Sequence, residues 1–450
     1  MPTSDPDSPR SPPSPWPARL VLVAGILLGI LGAEATLTRR ASLIGVDLKV
    51  YYLAAETALA GGDFYAASPD GHPYSYVYPP ITLPRFYPYA LLDSWQAAFA
   101  VHTAFNVVCA LGVAVLLVKF TERYREDSLP WLDRVLVAGF VVLSLHSMPS
   151  MLYGETNFSL LLCIVAGFWW LDADSAESAS SEAQGETGSE ARDETGSEAR
   201  RASLPVSRET LAGIAFAIPA VVKLFPAAVG LWLLRAKAWR TIAAATATGV
   251  GAFAVGFAAF GVETHLTYVR AAVVPRLSGE EFVGGLDPAT QMVTLRRPIS
   301  VLFPSLPESA YGVLAFALLV PVVAYTFRRI ETPIERLVAI FVTMTAMVVG
   351  FPSLLLYFVF VFFPMIPLLY LLDSGPARKL FVAGAFVANF ALTAANVETL
   401  VTETPVPHAS LAVLDPLLAL ATPPLYGTML MLAGCVLAVR RTAPTPTAPS

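Results

Sequence analysis

Apolar and polar positions along this chain fall into long blocks. A helix needs about 20 apolar residues to cross a bilayer. Runs near that length recur at roughly 19–37, 97–118, 135–150, 157–171, 240–260, 310–327, 337–352, 354–372, 380–397 and 420–439. A further run from Thr210 to Leu234 is interrupted by Lys223, Leu224, Phe225 and Pro226. A lysine at mid-membrane costs several kcal/mol, and a proline removes a helix hydrogen bond. Two short tilted helices with Lys223 at the tip of a hairpin fit this run better than one span. The pattern therefore predicts an all-α polytopic membrane protein, a bundle of about twelve transmembrane helices, two of them short.

Basic residues orient the bundle, because inner loops carry an excess of Lys and Arg. With the N-terminus inside and 210–234 as a hairpin, twenty of the 29 Lys and Arg fall on inner segments and eight on outer ones. A single span at 210–234 would put Arg235, Lys237 and Arg240 outside and invert every later loop. Both termini are thus expected in the cytoplasm. Residues 19–171 form a first membrane module with a long outer loop at 38–96. Residues 210–261 hold the Lys-bearing hairpin and the next span, 262–305 a second outer loop, and 306–440 the remaining helices.

Composition sharpens the ends and one loop. Only 14% of residues are charged, against about a quarter in soluble domains. The stretch 1–18 is rich in Pro and Ser, and the inner loop 172–209 carries the tandem repeat GETGSEAR, DETGSEAR. Neither can bury a core, so both are expected to be disordered, with 441–450 as a tail. Cys109, Cys163 and Cys435 lie inside apolar runs, which argues against disulfides and metal-binding pairs. Nothing in the charge distribution points to nucleic acid.

The chemistry concentrates on the outer side. Asp47 to Ala60 reads as a helix ended by Gly61-Gly62-Asp63. Asp47, Tyr51 and Ala55 share one face. Val50, Leu53 and Thr57 make an apolar stripe that would lay the helix along the membrane surface. Tyr74, Tyr76, Tyr78, Pro79 and Pro80 then form a stiff strip, with rings expected at headgroup depth. Each polar residue has a bland reading too. Asp47 serves equally as a helix N-cap or as a general base. Lys223 can snorkel to headgroups or hold a phosphate. Asn157 can cap the fourth span, and Glu155 can be a solvated loop residue. What distinguishes them is that all land on one side in a topology chosen independently by the basic residues.

The ordered set of motifs resembles the GT-C superfamily of membrane glycosyltransferases, and in particular glycosyltransferase family 87, the polyprenyl-phosphate-mannose-dependent α-mannosyltransferase-like proteins. The matching pieces are Asp47 with Tyr51 and Ala55; Gly61/Gly62 with Phe64-Tyr65; Tyr76-Val77-Tyr78-Pro79-Pro80; Gly154-Glu155-Thr156-Asn157; and Val222 to Pro226 followed by the basic turn Arg235–Arg240. They cover about residues 20–260 well and the remainder loosely. The resemblance implies an inverting hexosyltransferase of the cell membrane that uses no metal or nucleotide. A polyprenyl (dolichyl-type) phosphate sugar, mannose in the family's case, would bind from the outer leaflet and be passed to a glycan or glycolipid hydroxyl. Asp47 would be the base. Lys223, with Arg297 or Arg296, would hold the donor phosphate. Tyr51, Tyr78, Glu155 and Asn157 would contact sugar or acceptor. The family's late Ser-Pro-x-x-Trp-x-His-type motif is replaced by Gly350 to Tyr357, where Tyr357 takes the polar position, and His265 stands in the second outer loop. The rival readings are a transporter or lipid flippase, and a lipid-sugar-binding relative without catalysis.

Overall fold

A computed structural model describes residues 13–71, 73–125, 127–185, 206–277, 279–393, 396–397 and 409–441. The terminal stretches 1–12 and 442–450, and most of the expected disordered loop, lie outside the described residues. The principal helices are α1 Trp16–Arg39, α2 Val46–Leu59, α3 Trp95–Arg123, α4 Trp131–Leu143, α5 Ser147–Tyr153, α6 Asn157–Gly185, α7 Arg208–Val222, α8 Val229–Arg235 and α9 Trp239–Tyr268. They continue as α10 Arg296–Leu302, α11 Glu308–Thr326, α12 Pro333–Gly350, α13 Phe362–Leu371, α14 Pro376–Ala388, α15 Ala409–Leu420 and α16 Pro423–Arg441. Among the described residues there is no strand, only an isolated bridge between Met292 and Leu354. The chain is an all-helical, polytopic membrane protein.

Among the described residues six helices are long and apolar enough to cross a membrane: α1, α3, α9, α11, α12 and α16. The pair α4 and α5, bent by 49°, makes a seventh if it acts as one span. The other expected segments occur as shorter apolar helices, including Asn157–Asp172, Phe225–Arg235 and Leu355–Leu371. Helix starts follow local chemistry. Ser94 and Ser207 accept the amides of Ala97 and Thr210 at 3.3 and 3.2 Å, and Thr332 with Glu335 forms a capping box on α12. The core runs through α12 and 355–372, buried almost throughout. Against it, α14 and α16 approach closely at Gly384 and Gly427, where a side chain would strike the opposing backbone.

Around Lys223 the chain doubles back. Gly213 of α7 packs on the Thr241 carbonyl and Ala244 of α9, and Glu209 pairs with Arg240 at 3.3 Å. The start of α9 is therefore level with the start of α7, and α8 makes the return. Lys223 sits at the far tip in extended conformation (φ −129°, ψ 115°). Along α6, Asn157 and Asp172 are fifteen residues apart, about 22 Å at ~1.5 Å per residue. The Lys223 tip and the Asp172 region thus mark opposite ends of the bundle.

Two local expectations change. The helix α2 docks into the protein through Leu48, Val50, Tyr51, Ala54 and Ala55, with Leu53 and Thr57 half-buried, rather than lying along the surface on the Val50–Leu53–Thr57 stripe alone. Tyr76 and Tyr78 are buried, 1% and 6% exposed, and only Tyr74 stays half exposed. Their hydroxyls find buried partners, which a headgroup belt does not require. The Tyr76 and Thr82 hydroxyls bond at 2.7 Å, and the Tyr78 hydroxyl meets that of Tyr51 at 3.1 Å and the Glu155 carboxylate at 3.3 Å. Helix α6 also runs on to Gly185, past the expected boundary at 171.

Candidate active site

The site begins at a backbone feature. Helix α5 ends at Gly154 in the left-handed region (φ +77°). A Cβ there would lie 2.8 Å from the Leu48 Cβ, so the turn takes glycine on both counts. The turn throws Glu155 inward. The Glu155 amide donates to the Ser150 carbonyl at 3.0 Å, and its own carbonyl accepts from Asn106 at 2.8 Å. A ring nitrogen of His102 lies 3.3 Å from the same carbonyl.

The Glu155 side chain is 5% exposed overall and fully engaged. Oε2 accepts the Thr156 amide at 2.8 Å and the Lys223 ammonium at 3.0 Å. The Tyr78 hydroxyl donates to both carboxylate oxygens at 3.3 Å and stands 3.1 Å from the Tyr51 hydroxyl. Lys223 also donates to Asn157 Oδ1 at 2.7 Å. Asn157 turns its amide to Ser150 Oγ at 3.0 Å and the Leu356 carbonyl at 3.3 Å. The Lys223 ammonium stands 4.5 Å from the Tyr357 ring centre and 5.5 Å from that of Tyr78. Five of the candidates, the buried Tyr78, Glu155, Asn157 and Lys223 and the half-buried Tyr357, thus form one cluster, with Tyr51 attached through Tyr78. Glu155 is not a solvated loop residue, and Asn157 spends its side chain on Lys223, Ser150 and Leu356. Burial alone would raise the Glu155 carboxyl, but the Lys223 charge and hydrogen bonds from Lys223, Thr156 and Tyr78 outweigh it and hold the group below its usual range.

Asp47 joins this cluster by charge rather than by contact. The N-cap of α2 is Gly45 (φ +67°), whose amide donates to the Leu152 carbonyl at 2.7 Å. Asp47 is therefore in the first turn and is not the cap. It is half-buried. Burial first, then the Glu155 charge, push its carboxyl well above the usual range, and Lys223 pulls it back.

Beside the cluster opens a cavity of about 820 Å³. Its polar wall includes Tyr78, Lys223, Tyr357, Ser353 and the Glu280–Glu281 pair. The rest is apolar, including Val77, Leu224, Phe225, Ala272 and Met292. One wall is a π-helical turn, Val269–Val273, a local widening often met at functional sites. Asp47 does not line this cavity. Its charge reaches Tyr51 and Tyr78.

Three candidates stand apart. Arg296 is buried, donating to the Gly350 carbonyl at 3.3 Å; its charge reaches Glu281 at the cavity wall. Arg297 is fully buried and donates to the Thr290 carbonyl. His265 bonds the Gly261 carbonyl at 2.8 Å and stacks on Phe257 at 3.9 Å. None of the three lines the cavity. Conversely, sequence reasoning missed His102 and Asn106, which clamp the Glu155 carbonyl. Their signal was visible as two polar residues at i, i+4 spacing inside an apolar span. Glu280, Glu281 and Ser353 carried no signal, because only the tertiary fold brings them to Lys223.

No curated protein and no solved structure matches the chain. One family description does, Glycosyltransferase family 87, over residues 76–357. That stretch spans the Tyr strip, the Gly154–Asn157 turn, the Lys223 hairpin and Tyr357, so the cavity and its buried ion pair lie within the matched region, and the chain belongs to glycosyltransferase family 87.

Proposed function

We propose that this glycosyltransferase transfers a hexose, mannose in the family's case, from a polyprenyl (dolichyl-type) phosphate to an acceptor hydroxyl on a glycan or glycolipid. The observation that carries the reading is the placement of one lysine among a few hydroxyls and carboxylates on one wall of a cavity whose remaining lining is apolar. A lipid phosphosugar has the same layout, a single anionic phosphate between an aliphatic chain and a sugar. Lys223, oriented by Glu155 and Asn157, offsets the phosphate charge. Tyr78, Tyr357, Glu280 and Glu281 supply hydroxyls and carboxylates for the sugar. Arg296, behind Glu281, supports that wall.

The reaction needs a base on the acceptor side. Asp47 takes the acceptor proton, and the oxygen attacks the anomeric carbon from the face opposite the phosphate. The bond from that carbon to the phosphate oxygen breaks, polyprenyl phosphate leaves with the electron pair, and configuration inverts. Tyr78 lines the cavity and Asp47 does not, so in this reading donor and acceptor approach from different sides. The site faces outward at the cell membrane, with both chain termini in the cytoplasm, as the bias of basic residues implies.

The test is lipid and glycan profiling by mass spectrometry of cells lacking this chain, complemented with wild type, D47N or K223M. Wild type should restore a hexosylated product that neither variant restores at equal protein level. Equal restoration by both variants would sink the assignment at these residues.

A further inference from the structure

The backbone of Glu155 is held as firmly as its carboxylate. Its carbonyl accepts from Asn106 Nδ2 at 2.8 Å, and His102 Nε2 lies 3.3 Å from the same oxygen. A carbonyl only accepts, so His102 carries its proton on Nε2 and donates it there. His102 Nδ1 is then an acceptor, and the Tyr89 hydroxyl, 3.2 Å away, donates to it. The Tyr89 and His102 rings meet edge to face, with centres 5.4 Å apart. The bonds therefore run one way, from Tyr89 through His102 to Glu155. The carbonyl matters because of what shares its peptide group. The Glu155 carbonyl and the Thr156 amide belong to one planar unit. That amide donates to Glu155 Oε2 at 2.8 Å, and the same Oε2 accepts Lys223 at 3.0 Å. Turning the peptide plane would break the bonds on its carbonyl and on its amide together, and would take Oε2 off Lys223.

The clamp stands on a rigid base. His102 and Asn106 lie one turn apart on α3, an unbroken helix of 29 residues, while Glu155 follows the Gly154 turn at the end of α5. Stability does not account for these two residues. They are 1% and 0% exposed inside an apolar span, and Asn106 Oδ1 is buried with no hydrogen-bond partner among the described residues. A buried polar atom left unpaired costs free energy, and a leucine there would not carry that cost. We propose that Tyr89, His102 and Asn106 are positioning residues for sugar transfer, which fix the Glu155–Thr156 peptide and through it the aim of Lys223 at the donor phosphate. This rests on the reading of Lys223 as the residue that holds that phosphate.

The full chain, purified in detergent, is titrated with dolichyl phosphate and with dolichol, and retained lipid is read by native mass spectrometry beside the thermal unfolding midpoint. Wild type should bind dolichyl phosphate saturably, and K223M about tenfold more weakly. H102L and N106L should share that loss, with affinity for dolichol unchanged and the N106L midpoint no lower than that of wild type. H102Q, whose amide can donate to the same carbonyl, should stay within about threefold of wild type. Y89F should weaken binding in the wild-type background and change nothing in H102L, because its hydroxyl acts only through the imidazole. If H102L does not fold, N106L and Y89F carry the test. Equal affinity of wild type, H102L and N106L, with K223M weak, overturns the proposal alone. K223M binding as well as wild type removes the Lys223 reading and the proposal with it. A matching loss for dolichol would mean a collapsed cavity, and overturns the positioning role too.

Discussion

At the scale of single residues, the site pairs two carboxyls of opposite character. Glu155 is held ionised by Lys223 with the Thr156 amide and the Tyr78 hydroxyl, while Asp47 is pushed toward its neutral form by burial and by Glu155 itself. A base works only when deprotonated, so transfer should fail as pH falls through the raised Asp47 value. The acid limb of kcat/KM is expected above the ordinary carboxylate range, about 4. Removing the Glu155 charge while Lys223 stays lowers the Asp47 value, so E155Q should move the limb to lower pH in whatever activity remains. A pH profile of the variant that moves up, or does not move, breaks the electrostatic link. D47N should cost about a hundred- to ten-thousandfold in kcat, the usual worth of a positioned base, with donor affinity nearly unchanged, because Asp47 lies outside the donor cavity. A parallel loss of donor binding, measured on the same protein, would place Asp47 among the donor contacts instead. The sequence alone left Asp47 as cap or base. Gly45 at the cap removes the first reading, and that required backbone geometry which no spacing rule supplies.

At the scale of elements, the bundle was legible because its signals are local. Apolar runs, the Lys223–Pro226 interruption and the caps at Ser94, Ser207 and Thr332 each mark a boundary from neighbouring residues alone. The hairpin reading of 210–234 came from charge bias, and the Glu209–Arg240 pair and the Gly213 packing describe the same return. What stayed hidden was depth. Tyr76 and Tyr78 have the composition of a headgroup belt, yet they turn inward because Thr82, Glu155 and Tyr51 offer their hydroxyls buried partners. The turn at Gly154 ties these elements together, since it aims Glu155 and touches Leu48 of α2. G154A must place a side chain both at φ +77° and against Leu48. The left-handed strain is about 1–2 kcal/mol, and overpacking adds about 1–3 kcal/mol. The expected result is a lower unfolding midpoint and a loss of transfer larger than the stability loss explains, because the Lys223 partner is displaced. Full activity in a destabilised G154A protein would show that the turn matters to the fold only. Gly61 has the same positive φ, +76°, and open space around it, so G61A carries the strain without the contact and should spare transfer.

Across the whole molecule, two ends of the bundle are built for different surroundings. One end gathers Asp47, Glu155, Asn157 and Lys223, and Lys223 opens onto a large cavity. The other, about 22 Å away along α6, holds the Arg19–Asp133, Arg123–Asp172, Arg134–Glu122 and Arg240–Glu209 pairs and three exposed tryptophans. Basic residues concentrate on the cytoplasmic side of membrane proteins, and the proposed orientation accordingly puts the arginine end inside and the cavity outside. Helix lengths do not decide this, because a bundle inverted in the membrane would have the same helices and the same contacts. Labelling does decide it. A cysteine introduced at Asp63, in the exposed turn after α2, should react with a membrane-impermeant maleimide in intact cells. One at Lys237, in the turn before α9, should react only after permeabilisation. The native Cys109 and Cys435 are buried and Cys163 is half-buried, so wild type sets the background. The reverse pattern would place the Lys223 cavity on the cytoplasmic side, and any lipid phosphosugar reaching it would have to sit in the inner leaflet. The two outcomes therefore separate the orientation of the enzyme from its chemistry. Asp47 and Lys223 share one end of the bundle in either orientation, and only the compartment that supplies the acceptor changes.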